Sequence, residues 1–298
     1  MRLVTFDGGR GPRLGAVLGD SVIDLADASG GSLPTDMLQF IDAGASALAG
    51  ARAAVERAAG KGVALFEVRL LAPIPRPRRN VMCLGLNYRD HAIEAARAAG
   101  QEPTMPEHPI FFSKPPTTVI GHGAAIEFDP SLSDKIDWEV EFTFIVGKGG
   151  RDIAADAWRD HVFGYTVGND VSARDLQMRH GGQFFKGKSL DTFAPLGPWI
   201  VTADEIADPH ALDVSLRVNG VEKQRSNTRE LIFDIPATFA SLSAGFTLEA
   251  GDIIMTGTPH GVGFARTPPE WLRDGDVVEC EIEGIGVLRN PVKTRGRA

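Results

Sequence analysis

Glu139 and Glu141 stand two residues apart in the run 136–146, where polar and apolar residues alternate before the chain turns mostly apolar. That alternation predicts a β-strand entering a core, with both carboxylates on one face. Two carboxylates about 4 Å apart repel by up to about 4 kcal/mol at an effective dielectric of about 20, so a buried pair needs a cation or a shared proton. A hard divalent metal meets that need. The competing reading is the solvent face of an edge strand, where acidic residues are common.

The run 162–175 opens as an apolar, β-rich segment and ends in Asn169-Asp170, a turn-forming pair. Asp170 is expected to project from a strand end, as a third oxygen ligand or as an ordinary cap. Three carboxylates with no Cys or His nearby in sequence suit Mg²⁺ or Mn²⁺ better than zinc, and Ca²⁺ is also admissible. A third segment, 183–198, reads as a loop from its glycines and prolines and presents Lys188 between the small residues Gly187 and Ser189. Gly182 through Gly187-Lys188-Ser189 satisfies the bare phosphate-loop spacing. Phe184, Phe185 and the Pro-rich continuation supply neither a glycine-rich cradle nor a following helix, so a nucleotide site is not expected.

The alanine-rich stretch after Asp90 predicts a short helix closed by Gly100, with His91 and Glu94 at i, i+3 on one face. A carboxylate beside an imidazole fixes its tautomer and raises its basicity, as activation of a water requires. An exposed surface ion pair is the alternative for these two residues taken alone.

Taken together, the chain resembles the fumarylacetoacetate hydrolase family. The resemblance rests on Gly85-Leu86-Asn87-Tyr88 with His91 and Glu94, Phe112-Ser113-Lys114-Pro115, Asp137-Trp138-Glu139-Val140-Glu141, Gly164-Tyr165-Thr166-Val167 through Asp170 to Asp175, Gly187-Lys188-Ser189 through Pro198, and Thr256-Gly257-Thr258-Pro259 with Gly261-Val262-Gly263. These motifs occur in the family's order between residues 80 and 290, and the branch they suggest is the acylpyruvate hydrolase and 2-hydroxyhepta-2,4-diene-1,7-dioate isomerase one. The resemblance implies a mixed β-roll or sandwich, usually a homodimer, with Glu139, Glu141 and Asp170 as metal ligands. It implies Lys188 as the active-site lysine, Arg174 and Gln177 near the substrate, Thr258 at the substrate's carboxylate end, and a His91–Glu94 dyad on a lid.

The implied activity is metal-dependent hydrolysis of a carbon–carbon bond in a 2,4-dioxo acid such as fumarylpyruvate, giving pyruvate and a carboxylic acid in the breakdown of aromatic or sugar-acid compounds. Three carboxylates, a divalent ion and Lys188 sum to a neutral site, and Arg174 offsets the charge of a bound 2-oxo acid. The same enolate chemistry admits an oxaloacetate decarboxylase or an oxo-dienoate isomerase. A non-catalytic, metal-stabilised binding protein is the reading from a different class. The segments 101–108 and 180–183 are expected to line the variable end of the site, and His180 and His260 are the remaining histidines expected nearest the substrate.

The remaining sequence frames these residues. The chain has 298 residues and a net charge of −8, which argues against nucleic-acid and anionic-membrane partners. No apolar run reaches membrane-spanning length and the amino terminus lacks a secretory core, so a cytoplasmic setting with Cys83 and Cys280 as reduced thiols is expected. Short strands at 3–6, 14–18 and 22–25 and an alanine-rich helix at 45–59 predict a small α/β domain over 1–72. A proline-rich connection at 72–77 leads to a catalytic domain over 73–298. Strand-like runs at 214–218, 253–255, 277–282 and 286–288 with few helices between them predict a β-rich α+β fold.

Overall fold

The computed structural model describes residues 1–58 and 60–296. Ala59, the expected end of the alanine-rich helix, and residues 297 and 298 lie outside the described residues. The fold is β-rich α+β, built on two large sheets. The first contains twelve strands. Its main path runs from Val63–Ala64 through Ser21–Asp24, Pro12–Leu18, Arg2–Asp7, Ala194–Thr202, Val162–Asn169, Val140–Val146, Ile253–Met255 and Val81–Gly85 to Ile110–Lys114. The second orders Val221–Asn227, Asp213–Val218, Val277–Ile282, Gly286–Thr294 and Ile126–Phe128. The final long strand therefore continues well past the expected 286–288.

Val140–Val146 is buried along its whole length, because it pairs with Val162–Asn169 on one side and Ile253–Met255 on the other. Its even-numbered side chains, with Tyr165 and Val167, face Val214, Leu216, Val278 and Leu288 of the second sheet in one apolar cluster. Phe142 stacks on Tyr165 at 5.2 Å between ring centroids. Face-to-face packing of this kind removes apolar area from water on both sheets at about 25 cal/mol per Å².

The first residues of the chain extend the same large sheet, as Arg2 and Leu3 pair with Val201 and Ile200. The helix Gly44–Arg57 buries Ala47, Ala51 and Ala54, spaced so that one narrow face approaches the sheet closely. The proline-rich segment 72–77 is irregular but not a free spacer. Ala72 and Ile74 are buried, and Thr5 Oγ1 donates to Pro73 O at 2.6 Å. Among the described residues no helix is long and apolar enough to cross a membrane.

Gly164 sits where the central strand meets its neighbour, opposite Thr202. A Cβ there would lie 2.3 Å from Val201 O. Gly164→Ala must therefore push two core strands apart and is expected to destabilise the fold by about 1–3 kcal/mol. Urea unfolding measures this, and an unchanged midpoint and slope would contradict the close approach.

Candidate metal centre and active site

The expected single strand 136–146 is two strands. Ile136–Asp137 pairs with Ser172–Ala173, and the ladder resumes only at Val140. The physical reason lies in side chains that capture the backbone. Asp137 accepts from Trp138 N at 2.8 Å, Gly263 N at 2.6 Å and Phe264 N at 3.1 Å. Glu139 N donates to Asn169 Oδ1 and Val140 N to Gln224 Oε1, each at 3.0 Å. Glu139 thus sits in the break and Glu141 on the strand, yet both are buried beside the same site. Asp170 follows the end of Val162–Asn169, held by its N–H on Glu139 O at 2.8 Å.

Lys188 does not stand on an open loop. It ends the one-turn helix Phe185–Lys188 and is almost wholly buried. Gly187 makes this placement feasible, since a Cβ there would lie 2.5 Å from Gln177 N on the adjoining helix Arg174–Arg179.

Lys188 Nζ donates to Glu139 Oε2 and to Asp170 Oδ2, both at 2.7 Å. Lys114, fully buried, donates to Asp170 Oδ1 and to Val171 O. Arg174 donates from Nε to Asp137 Oδ2 at 2.8 Å and from Nη1 to Gln177 Oε1 at 3.1 Å. Its Nη2 lies 2.6 Å from Glu139 Oε1 as an ion pair. Glu141 is different: its Oε2 accepts from Gly257 N at 2.8 Å, and among the described residues no lysine or arginine pairs with it.

The two glutamates consequently diverge. Burial alone would raise Glu139, but Lys188 and then Arg174 outweigh it and hold the carboxyl down to about 2. Burial pushes Glu141 well above the usual carboxylate range, and Asp170 and Glu139 push it further. Without another cation, Glu141 prefers its proton. One ligand atom from each of Glu139, Glu141 and Asp170 lies within 4.8 Å of the others, and all are hard carboxylate oxygens. Mg²⁺ or Mn²⁺ fits this set and supplies the charge that Glu141 lacks.

The helix Arg89–Ala98 carries the second group. Its entry is anchored by Asn87, whose Nδ2 donates to Thr256 O at 2.8 Å and Phe233 O at 2.9 Å. His91 is buried, with Nδ1 3.3 Å from Glu94 Oε2. Both Glu94 oxygens accept from Gly261 N, at 2.9 and 3.1 Å. The pair is therefore built into the interior and is not an exposed surface contact.

A cavity of about 360 Å³ brings His91, Glu139, Glu141, Arg174, Gln177, Lys188 and Thr258 onto one wall. Asp170 and Glu94 are not lining residues, but they hold Lys188 and His91, which are. The segments 101–108 and 180–183 contribute no lining residue, and neither do His180 and His260. Ala98, Ala99, Met178 and Phe184 are lining residues in their place. Three buried groups of the site have no role assigned from the sequence, although Lys114 and Asp137 stand in its motifs. Lys114 pairs Asp170, Asp137 orients Arg174, and Gln224 Nε2 donates to Thr258 Oγ1 at 2.8 Å. A lysine before Pro115 in an apolar run, and an acid two residues before Glu139, were the available signals.

A metal that binds here must displace the Glu141 proton, so Mn²⁺ affinity should rise with pH and its binding heat should depend on the buffer's protonation enthalpy. Glu141→Gln should weaken binding by at least about tenfold and abolish the buffer dependence. Titration calorimetry in two buffers reads both effects. Unchanged affinity in the variant would remove Glu141 from the centre.

Residues 80–293 match the fumarylacetoacetate (FAA) hydrolase C-terminal family. The chain is 50% identical over 228 residues to the oxaloacetate tautomerase YisK of Bacillus subtilis (strain 168), spanning 76% of this chain and 74% of that protein. It is 43% identical over 297 residues to the mitochondrial oxaloacetate tautomerase fahd2 of Xenopus laevis, spanning 98% and 90%. Among solved structures, maleylpyruvate hydrolase from Sphingobium sp. SYK-6 in complex with manganese(II) and pyruvate aligns with a TM-score of 0.77 at 33% identity over 100% of each chain. With these matches spanning the carboxylates, the lysines and the His91 helix alike, the chain belongs to the fumarylacetoacetate hydrolase family.

Proposed function

We propose that this protein is a divalent-metal-dependent tautomerase that interconverts the keto and enol forms of oxaloacetate. The observation that carries the reading is the placement of His91 and the Glu139–Glu141–Lys188 cluster on the wall of one cavity. A proton acceptor and a cation-rich acidic centre thereby face the same small volume. The names of the Bacillus and Xenopus relatives favour isomerisation over the carbon–carbon hydrolysis expected from the acylpyruvate resemblance. Hydrolysis is the second reading, favoured by the likeness to maleylpyruvate hydrolase.

A divalent ion held by Glu139, Glu141 and Asp170 would polarise a 2-oxo group. The chain's own residues supply the proton traffic. Glu94 takes the Nδ1 side of His91, an orientation assigned from the contact, and leaves Nε2 as the free base nitrogen. His91 removes a proton from C3, the electron pair forms the C2–C3 double bond, and charge develops on the C2 oxygen. Lys188, fixed by two carboxylates, lies at the end where that charge appears.

Thr258 serves the substrate carboxylate. Val140 N can only donate and Pro259 O can only accept, which fixes the Gln224 amide so that its Nε2 points to Thr258 Oγ1. The Thr258 hydroxyl hydrogen is then free for an anion in the cavity. Arg174 and Gln177, locked to each other and to Asp137, act as a shaped wall near the substrate.

With Mn²⁺ present, loss of the oxaloacetate enol absorbance should accelerate without release of pyruvate or carbon dioxide. His91→Ala should slow it by about 10²- to 10⁴-fold while Mn²⁺ affinity stays unchanged. Wild-type rates in that variant would remove His91 from the chemistry, and stoichiometric pyruvate release would replace tautomerisation by cleavage.

A further inference from the structure

Most of the residues that line the cavity are apolar. Arg174 and Lys188 are its sole lysine or arginine lining residues among those described, and both are already committed to buried carboxylates. Ala95, Ala98, Ala99, Met178 and Phe184 line it without offering a charged group. A carboxylate carried further along a bound 2-oxo acid than the C4 carboxylate of oxaloacetate, and so reaching those side chains, would lose water without gaining a cation.

The apolar part of the lining reaches solvent at Met178. Phe112 lies 5.3 Å beneath the Lys188 ammonium, and Phe184 packs edge-on against Phe112 at 5.5 Å, so an aromatic floor runs outward from the charged centre. Met178, an apolar lining side chain, is 72% exposed among the described residues. Ala95 and Ala98 follow His91 at i+4 and i+7 and share its helix face. The helix that offers the base therefore also sets the room beside it, and its small side chains leave that room large. At about 360 Å³ the cavity lies within the range of about 300–1,000 Å³ that encloses ligands well above a four-carbon acid in size.

We infer that the site takes 2-oxo acids carrying an apolar aryl or branched alkyl group on C3, and enolises them as well as oxaloacetate. The inference rests on the tautomerase reading for its chemistry and on the cavity wall alone for its selectivity. The reaction balances without a co-reactant. A C3 proton passes to His91, the C–H pair becomes the C2–C3 double bond, and the former carbonyl pair on oxygen takes up a proton to give the enol.

The test uses the full-length Mn²⁺-loaded protein with pyruvate, 2-oxobutyrate, 4-methyl-2-oxopentanoate and phenylpyruvate, beside oxaloacetate. Calorimetric affinity should rise by about fourfold per added buried methylene, and phenylpyruvate should bind about tenfold or more tighter than pyruvate. Deuterium exchange at C3, followed by NMR, should show the same rank order in kcat/KM. Ala98→Asp, at the exposed last turn of the helix, should flatten the affinity slope while the far-ultraviolet circular dichroism stays that of the wild type. Affinity that is flat or falls with chain length, or a slope untouched by Ala98→Asp, overturns the inference. The affinity series needs no turnover, so its failure is distinguishable from that of the tautomerase reading, which fails instead if oxaloacetate shows no enol–keto exchange.

Discussion

Four carboxylates, Asp137, Glu139, Glu141 and Asp170, are buried around only three cations, Lys114, Arg174 and Lys188. Ionised groups in a protein interior each cost several kcal/mol to desolvate, and the cost is recovered only where partners and hydrogen bonds are well placed. Asp137, Glu139 and Asp170 have such partners. Glu141 has a single backbone N–H, and the shortfall of one positive charge falls on it. A divalent ion would convert that deficit into an excess, which a bound anion would then balance. Metal and substrate binding are thus two halves of one electrostatic requirement.

The architecture serves that requirement at every level. Glu141 is held on a strand buried within a twelve-stranded sheet and paired on both sides. Glu139 leaves the ladder because Asn169 and Gln224 take up the N–H groups on either side of it, and Asp137 binds the segment 263–264 from the other flank. Gly187 lets the Lys188 helix touch the Arg174 helix backbone to backbone. On the opposite side, Gly261 grips Glu94 and so sets His91. The sheet side holds the charged cluster, and the alanine-bearing helix beside it carries His91.

Much of this was legible in the sequence, for identifiable reasons. Glu139 and Glu141 stood out because two like charges inside an apolar run demand a physical explanation, and Asp170 because it closes a strand. The β-rich α+β class followed from many short apolar runs separated by Gly and Pro. Other features depend on contacts between distant segments. Lys114 reaches an aspartate 56 residues away, and Gln224 reaches Val140 across 84 residues. The break at Trp138-Glu139 is invisible to periodicity because long-range side-chain bonds impose it. Lys188 looked exposed since its neighbours are small, but small neighbours are what allowed it to be packed inward. His180 and His260 carried the right chemistry and lie outside the cavity.

The central claim is that the buried charge deficit at Glu141 is met by a divalent ion. A crystal of the protein soaked in Mn²⁺ and measured at the manganese absorption edge tests this most directly. The account predicts one anomalous peak in bonding contact with carboxylate oxygens of Glu139, Glu141 and Asp170. A saturated crystal with no peak there, or with manganese bound only elsewhere, would contradict it.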